Sequence, residues 1–145
     1  MERIEFRTAA QELGVGVSST LVPILNGVPL PELLRRIELP FACREGKPNL
    51  AGRYAGLVGD EVRWPSRHYL GDPVRSWFGD GDTVLLGCIC SDWGCWPFTA
   101  IVSVAPDMVT WSGYRTGHRA WDYRELRDFT FTRGQYEEAL RDTAR

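Results

Sequence analysis

Residues 82–111, DTVLLGCICSDWGCWPFTAIVSVAPDMVTW, decide how the rest of the chain is read. Residues 83–90 and 95–104 are β-branched and aliphatic. Ser91, Asp92, Trp93 and Gly94 between them have the length and chemistry of a hairpin loop. Ala105, Pro106 and Asp107 form a second turn into residues 108–111, and Pro106, with no amide hydrogen to give a ladder, ends the strand before it. Parallel strands need a crossover of about a dozen residues, so three strands this close in sequence are expected to pair as an antiparallel meander. Leu85, Leu86, Gly87, Cys88, Ile89 and Cys90 are apolar almost throughout, which suggests a central strand covered on both faces.

Working outward, residues 3–7 alternate, with Ile4 and Phe6 on one side, as an edge strand does. Residues 11–16 read as a turn, and residues 17–25 as a strand that Pro23 confines to an edge or to a short pairing region. Asn26-Gly27 is a turn signal. Pro29 and Pro31 then lead a short amphipathic helix over residues 32–39, with Leu33, Leu34 and Ile37 inward, Arg35, Arg36 and Glu38 outward, and Pro40 as its end. Residues 41–77 hold no lasting period. They are expected to form an irregular excursion pinned by Tyr54, Trp64, Tyr69 and Trp77, with short strands near 54–58 and 61–64. Gly79, Asp80, Gly81 and Asp82 read as a tight turn that lacks the remaining ligands of a calcium loop. Beyond the meander and a polar stretch over 112–122 come a last strand over 128–132 and a helix. That helix is capped by Thr132 with Gln135, buries Tyr136, Ala139 and Leu140, and carries a Glu137–Arg141 pair. The expected fold is a single α+β domain over residues 1–145: an antiparallel β-meander sheet, a short helix in the N-terminal half and a C-terminal helix.

Composition removes several function classes. The net charge of −2, without a run of like charge, argues against the basic face that nucleic acid requires. The longest nearly apolar run, residues 95–105, is shorter than the ~20 residues that span a bilayer. The start of the chain, with Glu2, Glu5 and Glu12, has no apolar signal core, so a cytoplasmic protein with reduced thiols is expected.

Ile37-Glu38-Leu39-Pro40-Phe41-Ala42, Leu50-Ala51-Gly52-Arg53-Tyr54-Ala55-Gly56-Leu57, Leu85-Leu86-Gly87-Cys88-Ile89-Cys90 and Trp93-Gly94-Cys95-Trp96-Pro97 together resemble a family of small uncharacterised bacterial proteins. The likeness closes on Phe131-Thr132-Arg133-Gly134-Gln135-Tyr136 and covers roughly residues 30–140, with Cys-x-Cys-x4-Cys as its most specific part. It implies no activity, cofactor or partner.

The cysteines are the sharpest chemical feature. Cys88, Cys90 and Cys95 could hold zinc, with His118 or Cys43 as fourth ligand. Strand geometry opposes this, because Cys88 and Cys90, two apart, would have α-carbons ~6.5–7 Å apart, whereas each sulfur on zinc sits ~2.3 Å from the metal. A four-residue loop could instead place Cys90 opposite Cys95 within disulfide reach, but without the Cys-x-x-Cys context that activates a thiol. The reading preferred from sequence is that all three are small buried residues of a two-sided strand. His68 and His118, beside Arg67 and Arg119, are expected to be exposed loop residues with lowered pKa. A Cys95–His118 nucleophile–base pair lacks an elbow sequence and an orienting residue. Trp64, Trp77, Trp93 and Trp121, in or beside loops near arginines, form either a protein-binding patch or pins that hold the excursion to the sheet. The expected function is therefore non-enzymatic: binding of another protein, or self-association, with a zinc or redox site at the cysteine hairpin as the alternative.

Overall fold

The chain opens with a long hairpin. β1 (Ile4–Leu13) and β2 (Gly16–Leu25) pair antiparallel from Ile4↔Leu25 to Leu13↔Gly16. This computed structural model describes residues 1–14, 16–58, 61–90 and 92–144. In it, the strand predicted over 3–7 runs on through most of the predicted turn over 11–16, and Gly14 alone is left in a described turn at the tip. Asn26 (φ 52°) and Gly27 (φ 82°) make the predicted turn from β2 into β3 (Val28–Pro29). On the side away from β1, β2 pairs in two short pieces, with β3 at Ile24 and Leu25 and with β4 (Leu57–Val58) at Thr20 and Leu21. Pro23 falls between the two, so β2 is not an edge strand, and the short pairing expected of a proline-containing strand is found on this side.

α1 (Leu30–Arg44) is longer than predicted and passes through Pro40 instead of stopping there. Pro31 sits in its first turn, where no amide hydrogen is needed. Pro40 removes one helical hydrogen bond. Burial of Leu30, Leu34, Glu38 and Ala42, spaced four apart on one face, holds the helix across that gap. Glu38 thus points inward, the opposite of its predicted direction.

The second sheet is the predicted antiparallel meander in the order β5 (Thr83–Leu86), β6 (Phe98–Val104), β7 (Met108–Thr116), β8 (Phe129–Thr132). β7 extends five residues past the predicted end at Trp111, absorbing part of the polar stretch. Gly113, at φ 60°, accompanies the irregularity where the β6–β7 register shifts. β5 is an edge strand rather than the central one, yet its four residues are buried because the excursion over residues 45–82 covers it. Val84 N donates to Arg75 O at 3.1 Å, and Gly87 exchanges two 2.9 Å backbone bonds with Ala55, two residues before β4. The excursion is irregular, as expected, with single 3-10 turns at Pro48–Leu50 and His68–Leu70 and no strand at residues 61–64.

At the other end Glu2 N donates to Thr130 O, in β8, at 3.0 Å. Backbone pairing therefore passes from β8 to the start of β1, through β2 to the β4 segment, on to β5 and back along the meander, a nearly closed ring around one core. α2 (Arg133–Arg141) closes it with Tyr136, Ala139 and Leu140 buried, as predicted. Its start differs from the prediction. Thr132 makes no side-chain cap, and Gln135 instead clasps the Ile4 backbone, accepting from N at 2.9 Å and donating to O at 2.7 Å. Glu137 pairs with Arg133 at 3.0 Å, while the Arg141 guanidinium lies over the Trp64 ring. In the core, the buried Trp111 donates to the Tyr136 hydroxyl at 3.0 Å, which donates to Tyr69 O at 2.6 Å, so neither polar tip is orphaned. Among the described residues no helix is long and apolar enough to cross a membrane.

Candidate metal centre in the β5–β6 connection

The cysteines leave the sheet. After Leu86, Gly87 turns to pair with Ala55, and strand structure resumes only at Phe98. A long connection with a 3-10 turn at Trp93–Cys95 replaces the predicted four-residue hairpin loop, of which Ser91 lies outside the described residues. Asp92 starts that turn: its carboxylate accepts from Gly94 N at 3.0 Å and its carbonyl from Cys95 N at 3.0 Å. Two glycines let the loop pack this closely. A β-carbon at Gly87 would lie 2.7 Å from that of Trp93, and one at Gly14, on the tip of the β1–β2 hairpin, 2.9 Å from Cys90 O.

This geometry reverses the preferred sequence reading. Cys88 is half-buried and Cys90 and Cys95 are exposed, so they are not core residues of a two-sided strand. The strand spacing that argued against a metal no longer applies, because the three sulfurs lie within 4.8 Å of one another. A tetrahedral zinc with bonds of ~2.3 Å holds its sulfurs ~3.8 Å apart, so a small contraction of the loop completes the fit. Three nearby thiols that could hold a metal are what this loop presents. All four cysteines are free thiols, and Cys43, on α1, is exposed and outside the cluster. Cys90 N donates to Cys88 Sγ at 3.4 Å. Burial pushes the Cys88 thiol up to about 12. The Cys88 side chain, hydrogen-bonded to Cys90, lowers the Cys90 thiol, and the Cys90 side chain raises that of Cys95.

His118 is beside this cluster but not in it. Its Nε2 lies 3.1 Å from Gly94 O, its ring meets Trp77 edge-on at 4.8 Å, and its backbone sits at φ 70°. It therefore orients the loop backbone and forms no nucleophile–base pair with Cys95 through that nitrogen. Trp77 and Trp93 join His118, Asp92, Gly94 and Cys95 around a shallow surface cavity of about 650 Å³. The other two tryptophan candidates act as pins. Trp64, half-buried against the core, has Arg141 over its ring, and its backbone N donates to Thr143 Oγ1. Trp121 donates to Glu45 at 2.6 Å and packs against Trp96, with the Arg119 guanidinium over both rings.

Three buried polar groups escaped the sequence reading. Glu38, fully buried, accepts from Gly52 N at 2.8 Å on one oxygen and from Tyr54 and Tyr123 hydroxyls at 2.5 and 2.6 Å on the other. Desolvation raises its carboxyl pKa against these hydrogen bonds. The periodic stripe Leu30, Leu34, Glu38, Ala42 is the signal that could have found it. His68, expected in solvent, is buried and neutral: Nε2 donates to Val84 O at 2.7 Å and Nδ1 accepts from Val74 N at 3.2 Å. Burial, not a neighbouring arginine, is the main cause that lowers it to about 4. Asp82, in the predicted Gly-Asp turn, is buried and gathers Ser76 Oγ and the backbone N of Trp77, Phe78 and Gly79 at 2.6–3.1 Å.

Comparison with protein families, curated proteins and solved structures returns no match for this chain.

Proposed function

We propose that the protein binds a soft divalent metal ion, zinc by ligand preference, through Cys88, Cys90 and Cys95. One observation carries this reading: three sulfurs from one short, exposed loop lie within 4.8 Å of one another. Thiolates select soft and borderline metals, and zinc accepts three of them together with an exchangeable fourth ligand. A reducing compartment such as the cytoplasm would keep these thiols available. Elemental analysis of the native protein, with thiol titration before and after chelation, tests it. About one zinc per chain is expected, with three thiols protected until the metal is removed. Cys95→Ser should weaken metal binding by more than ~100-fold, beyond what loss of a residue that only orients a ligand costs. Because the Cys95 thiol is exposed, metal-free stability should move by less than ~0.5 kcal/mol. A metal-free protein whose thiols react fully while folded sinks the reading.

A second reading, self-association, is favoured by the exposure of three apolar side chains close in sequence, Val74 (53%), Trp77 (38%) and Phe78 (40%), one of which lines the cavity beside Cys95. Its occupant would be a second copy of the chain. Sedimentation equilibrium tests it, and a species that stays monomeric at high concentration rejects it.

A further inference from the structure

The fourth coordination position has no donor in the cluster. Among the described residues no other His, Cys, Asp or Glu atom joins the three sulfurs, and His118 Nε2 is engaged by Gly94 O. Zinc with three protein ligands keeps its remaining position for water or an exogenous donor. Bordering Cys95 is the cavity whose walls carry the Trp77 and Trp93 indoles and the His118 ring. The one carboxylate in that wall is Asp92, the Arg75 guanidinium over the Trp93 ring is already paired with Glu61 at 3.4 Å, and zinc with three thiolates itself carries a net charge of −1. A ligand bearing a further negative group is repelled there. A soft donor atom matches the metal, and an apolar body matches the indoles.

Resting on the metal reading above, we propose that this site takes a small, otherwise uncharged thiol with an apolar or aromatic body as its fourth ligand, the sulfur on the metal and the body against Trp77 and Trp93. The exchange balances simply. A metal-bound water leaves, a metal–sulfur bond forms, and the thiol's proton departs with that water as hydronium, with no change of oxidation state.

Cobalt(II) in place of zinc makes each step visible. The cobalt-loaded full chain is titrated with 2-phenylethanethiol and, separately, with 2-mercaptoethanesulfonate, while sulfur-to-cobalt charge transfer and the d–d bands are recorded. The aromatic thiol should add charge-transfer intensity, red-shift the d–d bands, and bind at least ~10-fold more tightly than the sulfonate, a difference of about 1.4 kcal/mol. Trp77→Ala should bring the two thiols to within about threefold while its cobalt spectrum before thiol addition stays that of wild type, which shows that the loop is intact. Equal affinities for the two thiols in the wild type, a cobalt spectrum blind to both, or loss of cobalt to the free thiol overturns the proposal and leaves the metal site standing. Absence of any cobalt–thiolate spectrum before thiol is added overturns the metal reading and this inference together.

Discussion

Glu38 and the cysteine loop are two ways of gathering polar groups. Around Glu38 the partners arrive from far along the chain, Gly52, Tyr54 and Tyr123, and both carboxylate oxygens are occupied in the buried interior. In the loop the three sulfurs come from neighbouring residues, face solvent in two cases of three, and sit beside an open cavity. A buried cluster in which each carboxylate oxygen already has a donor holds elements in register and leaves little for a ligand to take. An exposed cluster whose donors are held together by loop geometry keeps its bonding capacity for something outside the chain. The difference is in saturation, not in residue type.

The contrast can be broken most directly at Glu38. Glu38→Ala leaves a backbone N–H and two tyrosine hydroxyls buried without their acceptor, and should cost roughly 3–5 kcal/mol in urea unfolding while metal affinity of the folded protein holds. A loss below ~1 kcal/mol would show that water replaces the carboxylate and that the cluster is not sealed.

His68 belongs to the sealed class and makes stability depend on pH. Its pKa falls from 6.5 to about 4 on folding, so between those values the unfolded chain takes a proton that the folded one refuses. The contribution of His68 to stability is therefore complete above pH 6.5, declines as acid is added, and is expected to be lower by roughly 3 kcal/mol below pH 4. Glu38 acts in the opposite sense, since its raised pKa contributes stability at low pH that is lost as pH rises through the folded value. Subtracting the unfolding profile of His68→Gln from that of wild type isolates the histidine, and a flat difference over pH 4–6.5 would contradict its burial as a neutral ring.

Gly87→Ala tests how tightly the open cluster is built. The new methyl meets the Trp93 backbone and side chain at 2.7–2.8 Å, so a loss of about 1–3 kcal/mol is expected, together with weaker cobalt binding as the loop shifts. Unchanged cobalt affinity would mean that the sulfurs assemble without that packing. The smallest effect is expected at His118. Asn also accepts positive φ, and His118→Asn should change metal affinity less than ~10-fold because the imidazole orients the loop and is not a ligand. A larger loss would return His118 to the coordination sphere.

Much of the framework was legible in the sequence because it follows local rules. The Asn26-Gly27 turn, the meander and the apolar face of α2 each depend on residues close to one another. The misses arose where distant partners override local preference. Residues 83–90 read as one strand because nothing nearby says that Gly87 will pair with Ala55, and that bridge, with the 3-10 turn at Trp93–Cys95, leaves three cysteines out of the sheet. Pro40 reads as a stop until the stripe through Ala42 supplies burial to carry the helix onward. Glu38 and His68 read as exposed because a charged or titratable side chain is buried only when partners elsewhere satisfy it, and those partners are up to 85 residues away. The candidate site was legible as a count of thiols; its geometry was not.

The pairing of Glu2 with Thr130 and the clasp of Gln135 on Ile4 also bear on biosynthesis. On the ribosome β1 emerges well before the residues that seal its edge and cover Phe6, Tyr136 among them. Until then the first hairpin carries an unpaired edge and an uncovered apolar face, the kind of nascent surface that chaperones hold and proteases cut. Chains arrested before residue 130 should therefore be degraded rather than accumulate as folded fragments, and the domain should reach its protected state as one late event.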